Sequence, residues 1–111
     1  MTAIDFLEKL PSKVQKDAIE GLETTFHFNL EGDGGGQITL ALRNGELVTS
    51  SGLDGEADCV INSQASDFLK VVTGELNPMM AILTGKLKIS NQGEMLKYAK
   101  IFGLMWEGRV V

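Results

Sequence analysis

The chain has 111 residues, 43% hydrophobic and 23% charged, which suits one ordinary globular domain over 1–111 and excludes wholesale disorder. The net charge of −5 argues against nucleic acid as a partner, because phosphate binding needs a basic surface. No run approaches the ~18 apolar residues that a membrane span requires.

Residues 2–20 read as helix, in two pieces broken at Pro11. Ile4, Phe6, Leu7 and Leu10 form an apolar stripe that Val14, Ala18 and Ile19 continue, and Gly21 closes the segment. Residues 22–31 alternate, with Leu22, Thr24, Phe26, Phe28 and Leu30 on one face and His27 among the polar residues of the other. The glycine-rich run 32–36 is expected to turn the chain into a second strand carrying Ile38, Leu40 and Leu42 inward. Asn44-Gly45 is a strong hairpin signal and leads to a third strand at Glu46–Ser50. After a turn at Gly52–Gly55, Ala57–Asn62 forms a fourth strand.

Ser63 or Ser66 is expected to cap the next helix, which carries Phe68, Leu69, Val71 and Val72 and stops at Gly74. Asn77 through Thr84 is a helix with almost no polar face: Asn77 caps it, Pro78 suits its first position and Gly85 ends it. An all-apolar helix should be covered all round by protein or by another apolar body. Lys86–Ser90 is a short alternating strand, and Asn91 and Glu94 have capping-box spacing. Met95, Tyr98, Ala99 and Phe102 then recur as one buried helical face, followed by the apolar tail Leu104-Met105-Trp106. This order predicts an α+β fold, a five-stranded mostly antiparallel sheet with helices packed on one face.

Chemistry-bearing patterns are scarce. His27 is the only histidine and is expected to face solvent; Cys59 is the only cysteine and is expected to be a buried small hydrophobe. Neither has the spacing of a metal site, and no cofactor motif is present. The glycines at 32–36 lack the Lys-Ser/Thr of a phosphate loop and join two strands, so a hairpin turn is expected. No serine lies in a Gly-x-Ser-x-Gly elbow. A single cysteine fits a reducing cytoplasm. The N-terminus lacks a secretory pattern, and Gly108-Arg109-Val110-Val111 is not a peroxisomal address.

The apolar helices remain. Such stripes ordinarily fill a core, but methionine adapts to irregular partners, so Met79, Met80, Met95 and Met105 with Phe102 and Trp106 also suit a lining for varied apolar ligands. Charge divides with the same boundary: residues 1–58 carry 4 basic and 11 acidic groups, residues 59–111 carry 6 and 4. The half with the apolar helices is mildly basic, which points weakly towards anionic lipid.

At Ala57-Asp58, Asp67-Phe68-Leu69-Lys70-Val71-Val72-Thr73-Gly74, Leu76-Asn77-Pro78 through Ala81, and Gly85-Lys86-Leu87-Lys88-Ile89, the chain resembles the sterol carrier protein 2 family of nonspecific lipid-transfer proteins. The likeness runs from about Phe6 to Phe102. It departs at Ser90-Asn91-Gln92, where the family usually has Gly followed by Asp or Asn. The resemblance implies a tunnel between sheet and helices for acyl chains, sterols or acyl-CoA. On it, Phe68, Val72, Met79, Met80 and Leu83 are the expected wall, and Met95, Tyr98, Phe102, Met105 and Trp106 the mouth or lid. Lys86, Lys88, Lys97 and Lys100 are candidates for steering to an anionic membrane surface or binding a CoA phosphate. The expected protein is a non-catalytic lipid carrier, monomer or weak homodimer. Two competing readings are an accessory or dimerisation module for a lipid- or quinone-metabolising enzyme, and a small acyl-CoA enzyme using Asp58 or His27 as base.

Overall fold

The computed structural model describes residues 2–13 and 20–97. Helix α1 (Ala3–Lys13) precedes strands β1 (Thr24–Glu31), β2 (Gly36–Arg43), β3 (Glu46–Ser51) and β4 (Cys59–Gln64). Helices α2 (Ala65–Val72) and α3 (Pro78–Leu83), strand β5 (Leu87–Ile89) and helix α4 (Gln92–Lys97) follow. The strands form one mixed sheet in the order β3-β2-β1-β4-β5. β1 and β4 run parallel; the other three pairings are antiparallel.

Alternation explains the inner face. Phe26 sits opposite Leu40 and Cys59, and Phe28 opposite Ile38 and Ile61, so each pair sends apolar side chains to the same side. α1 and α2 cover that side with Leu7, Leu10, Phe68 and Val71, all buried. Two-residue pairing across Asn44-Gly45, both at positive φ (54° and 75°), matches the twist of a β2–β3 hairpin.

Three sequence expectations need correction. Pro11 does not break the first helix, because α1 continues through it to Lys13. Val14, Ala18 and Ile19 lie outside the described residues. Neither Ser63 nor Ser66 caps α2: the N-cap is Gln64, without a side-chain bond, and the Ser63 hydroxyl instead donates to the Lys86 carbonyl at 2.8 Å.

The third correction concerns His27, which is buried on the polar face. Since β4 pairs with β1 and not with β3, residues 52–58 must cross from one edge strand to the middle of the sheet, and they do so over that face. Thr39 Oγ1 donates to Gly52 O at 2.7 Å and accepts from Asp54 N at 2.8 Å. His27 Nε2 stands 2.9 Å from Asp54 O, a carbonyl that can only accept, so this nitrogen carries the proton. Asp58 closes the crossing by accepting the Thr25 amide at 2.8 Å. The crossing segment thus shields Thr25, His27 and Thr39 from water.

Candidate functional site

The segment from Gln64 to Ile89 is two short helices and a strand with well-defined stops. α2 presents Ala65, Phe68, Val71 and Val72 to the sheet. It ends in a Schellman motif: Glu75 N bonds Lys70 O at 2.8 Å and Gly74 N bonds Val71 O at 3.2 Å. Asn77 Oδ1 accepts the amides of Met79 (2.8 Å) and Met80 (3.3 Å), starting α3 as its sequence predicts. A second Schellman motif ends α3, with Lys86 N bonding Ala81 O at 2.8 Å and Gly85 at φ 77°. These caps leave α3 only six residues, less than two turns.

The expected covering of α3 is half right. Pro78 and Ala81 face inward and are buried, with Ile82 packed partly against the core. Met79, Met80 and Leu83 point the other way and are 55%, 52% and 75% exposed. At 100° per residue, positions i, i+3 and i+4 share one face, while i+1, i+2 and i+5 take the opposite one. Because both faces are apolar, periodicity could not say which was inside.

The ten residues expected to form wall and lid therefore separate. Phe68 (1% exposed) and Val72 are buried under α1 and over the sheet, and Met95 is buried on α4. Met79, Met80 and Leu83 form an open apolar lip on α3. Tyr98, Phe102, Met105 and Trp106 lie outside the described residues, as does Lys100. One neighbour was missed. Phe6 of α1 meets Phe68 edge to face, centroids 6.3 Å apart, and its place in the α1 stripe was the only clue.

Among the described residues, Lys86, Lys88 and Lys97 do not form a bare cationic cradle. Lys86 and Lys88 share a pocket of about 270 Å³ with Glu31 and Asp67, and exposed Lys97 sits 3.6 Å from the Glu94 carboxylate. A second pocket, of about 510 Å³, lies between Glu20–Glu23 and the Asn44-Gly45 turn. Among the described residues, Phe68, Val72, Met79, Met80, Leu83 and Met95 line neither one.

Catalytic chemistry finds no assembly among the described residues. His27 is tied to Asp54, and Asp58 is engaged by Thr25 on both its side chain and its backbone. Cys59 is fully buried, and burial pushes its thiol pKa up, against thiolate formation. No three His, Cys, Asp or Glu side chains among the described residues converge as metal ligands. Asn91 caps α4 through its Oδ1 to Glu94 N at 3.1 Å. The capping box is not reciprocal, because Glu94 Oε2 takes the Thr24 hydroxyl at 2.6 Å and ties α4 to β1. No helix among the described residues is long and apolar enough to cross a membrane.

Known proteins resemble this chain in sequence and in fold. Hydroxysteroid dehydrogenase-like protein 2 of Xenopus tropicalis is 37% identical over 98 residues, covering 86% of this chain and 24% of that protein. Sterol carrier protein 2 of Homo sapiens is 34% identical over 95 residues, covering 82% of this chain and 17% of that protein. The chain thus spans a quarter or less of the length of these curated relatives. The solution structure of palmitated SCP2L2 from Aedes aegypti shares the fold, with a TM-score of 0.69 and 18% identity over 92% of this chain and 95% of that one. Residues 4–105 match the SCP-2 sterol transfer family, and with relatives above 30% identity over most of its length the chain belongs to that family.

Proposed function

We propose that residues 1–111 form one lipid-binding domain that carries acyl chains, fatty acyl-CoA, sterols or phospholipids in an apolar tunnel, without catalysing a reaction. The observation that carries this reading is the lip of α3. Met79, Met80 and Leu83 stand in water at more than half their full exposure, each forgoing part of the ~1.5–3 kcal/mol that burial contributes. An apolar ligand entering past them recovers that term. Phe68 and Val72 are the proposed inner wall, with Met79, Met80 and Leu83 at its entrance, and Met95, Tyr98, Phe102, Met105 and Trp106 the proposed mouth or lid. About ten buried ligand methylenes at ~0.8 kcal/mol each give roughly 8 kcal/mol before entropic costs, with no directed hydrogen bond. Specificity is accordingly broad. The lip and exposed Lys97 make brief contact with an anionic membrane surface the natural route of exchange, and the single buried cysteine suits work in the cytoplasm.

Native mass spectrometry of freshly purified protein tests the reading. Co-purified lipid and uptake of a fluorescent acyl probe are expected. A homogeneous mass of 12.0 kDa with no probe uptake overturns it. Trp106→Ala should change the rate of probe uptake and release; unchanged rates remove the lid.

A second reading has its own support. The Xenopus tropicalis relative is named as a dehydrogenase-like protein, and this chain matches only 24% of it. The domain can therefore serve as an accessory or dimerisation module beside a lipid- or quinone-metabolising enzyme, presenting the same lip to a protein. Capture of such an enzyme, abolished by polar substitution of the lip and coupled with absence of bound lipid, would select it.

A further inference from the structure

The two edges of the sheet differ in how they are protected. β5 is only three residues long, with Lys88 inside it and Lys86 beside it, and both devices discourage strand addition. β3 at the other edge is six residues long, Glu-Leu-Val-Thr-Ser-Ser, with neither lysine nor proline. Among the described residues it pairs with β2 alone.

Register shows which backbone groups that edge offers. Gly52 N donates to Gln37 O of β2 at 2.9 Å, so by antiparallel alternation Ser50, Val48 and Glu46 also direct their N–H and C=O groups to β2. Leu47, Thr49 and Ser51 direct theirs outward. Val48, at the centre of the strand, is 53% exposed on the sheet's polar face.

We propose that β3 is a self-association edge, pairing antiparallel with β3 of a second copy about a two-fold axis at Thr49. In that register Thr49 faces Thr49 of the second copy, and Leu47 faces its Ser51. Every outward N–H and C=O of the strand then gains a partner. Val48 faces Ser50 of the second copy and lies diagonally beside its Val48, covering apolar surface that is now wet. Glu46 falls opposite Gly52, so no like charges meet, and the strand is self-complementary as a two-fold contact requires. The two five-stranded sheets become one continuous sheet. A contact confined to one six-residue strand is small beside the ~1,600 Å² of a standard stable complex, so the proposed dimer is weak and forms at high protein concentration.

Sedimentation velocity of the full chain from about 10 µM to about 1 mM tests this, a range that brackets weak complexes. The average mass should rise from 12.0 kDa towards that of a dimer. Val48→Lys, at an exposed position, places like charges astride the two-fold and should weaken association at least tenfold. Thr49→Pro removes an outward donor without touching the β2 ladder and should do the same, with folding checked by circular dichroism; if it does not fold, Val48→Lys decides alone. A monomer throughout the range overturns the proposal. So does association that survives Val48→Lys, including association abolished instead by Met79→Ser, Met80→Ser and Leu83→Ser together.

Discussion

The ring of Phe68 stands edge-on to that of Phe28, with centroids 5.7 Å apart and planes inclined by 70°. This contact joins α2 to the central strand, and Phe6 extends it to α1. Phe68→Ala should destabilise the domain by about 3–5 kcal/mol, the usual range for deleting a buried aromatic ring. Urea unfolding measures it, and a loss under about 1 kcal/mol would show that the three elements are held by other contacts.

Met79→Ser, Met80→Ser and Leu83→Ser combined should leave stability within about 1 kcal/mol, because their side chains are already largely in water. Acyl-probe uptake should fall severalfold. Unaltered uptake in a folded triple variant would move the entrance away from α3.

Asn77→Ala removes the oxygen that satisfies two amides of the first turn of α3. The expected cost is about 1 kcal/mol, measured by thermal unfolding. α3 is too short to hold its start by propensity, so hydrogen exchange at Met79 and Met80 should quicken as well.

Asp5 supplies a pH signature. The Thr2 amide donates to its carboxylate at 3.1 Å, and the Thr2 hydroxyl accepts the Asp5 amide at 3.1 Å, an N-terminal box for α1. The Thr2 backbone amide and then its side chain hold the Asp5 pKa below the ordinary 3.8. A depressed folded-state pKa contributes stability above 3.8, and that contribution fades as pH falls through the folded value. The stability difference between wild type and Asp5→Asn should therefore be constant near neutrality and close only in acid below about pH 4. A gap that stays open at pH 2 would show that the charge is not what matters.

Cys59 gives the opposite signature. Burial raises its thiol pKa above 9.0, so the unfolded chain loses this proton first and stability should fall as pH rises past 9. Cys59→Ala should remove that alkaline component, although the smaller side chain lowers stability at all pH values. Native protein should react with a thiol reagent only at the rate at which it opens. Fast labelling without unfolding would contradict the burial.

Family membership was legible in short runs such as Asp67–Gly74 and Gly85–Ile89, and the structure explains why. Both runs contain the glycine of a Schellman motif, a backbone requirement that a local sequence must meet by itself. The core face of each strand was equally open to reading from apolar alternation, as along Phe26, Phe28 and Leu30, all buried. Asn77 at the start of α3 and Asn91 at the start of α4 belong to the same class.

What the chain could not declare locally is everything that depends on which element lies across from which. Period-2 alternation put His27 on the polar face, but only the placement of β4 beside β1 sends residues 52–58 across that face and buries the imidazole. Composition showed α3 apolar all round, yet only its docking through Pro78 and Ala81 turns Met79, Met80 and Leu83 to the outside. Glu94 has the spacing to close a capping box, but the nearby Thr24 hydroxyl takes its carboxylate instead. Turns, caps and alternation are determined by neighbours in sequence, within reach of a few backbone bonds. Burial on an ambiguous face, and the choice between competing hydrogen-bond partners, are determined by neighbours in space.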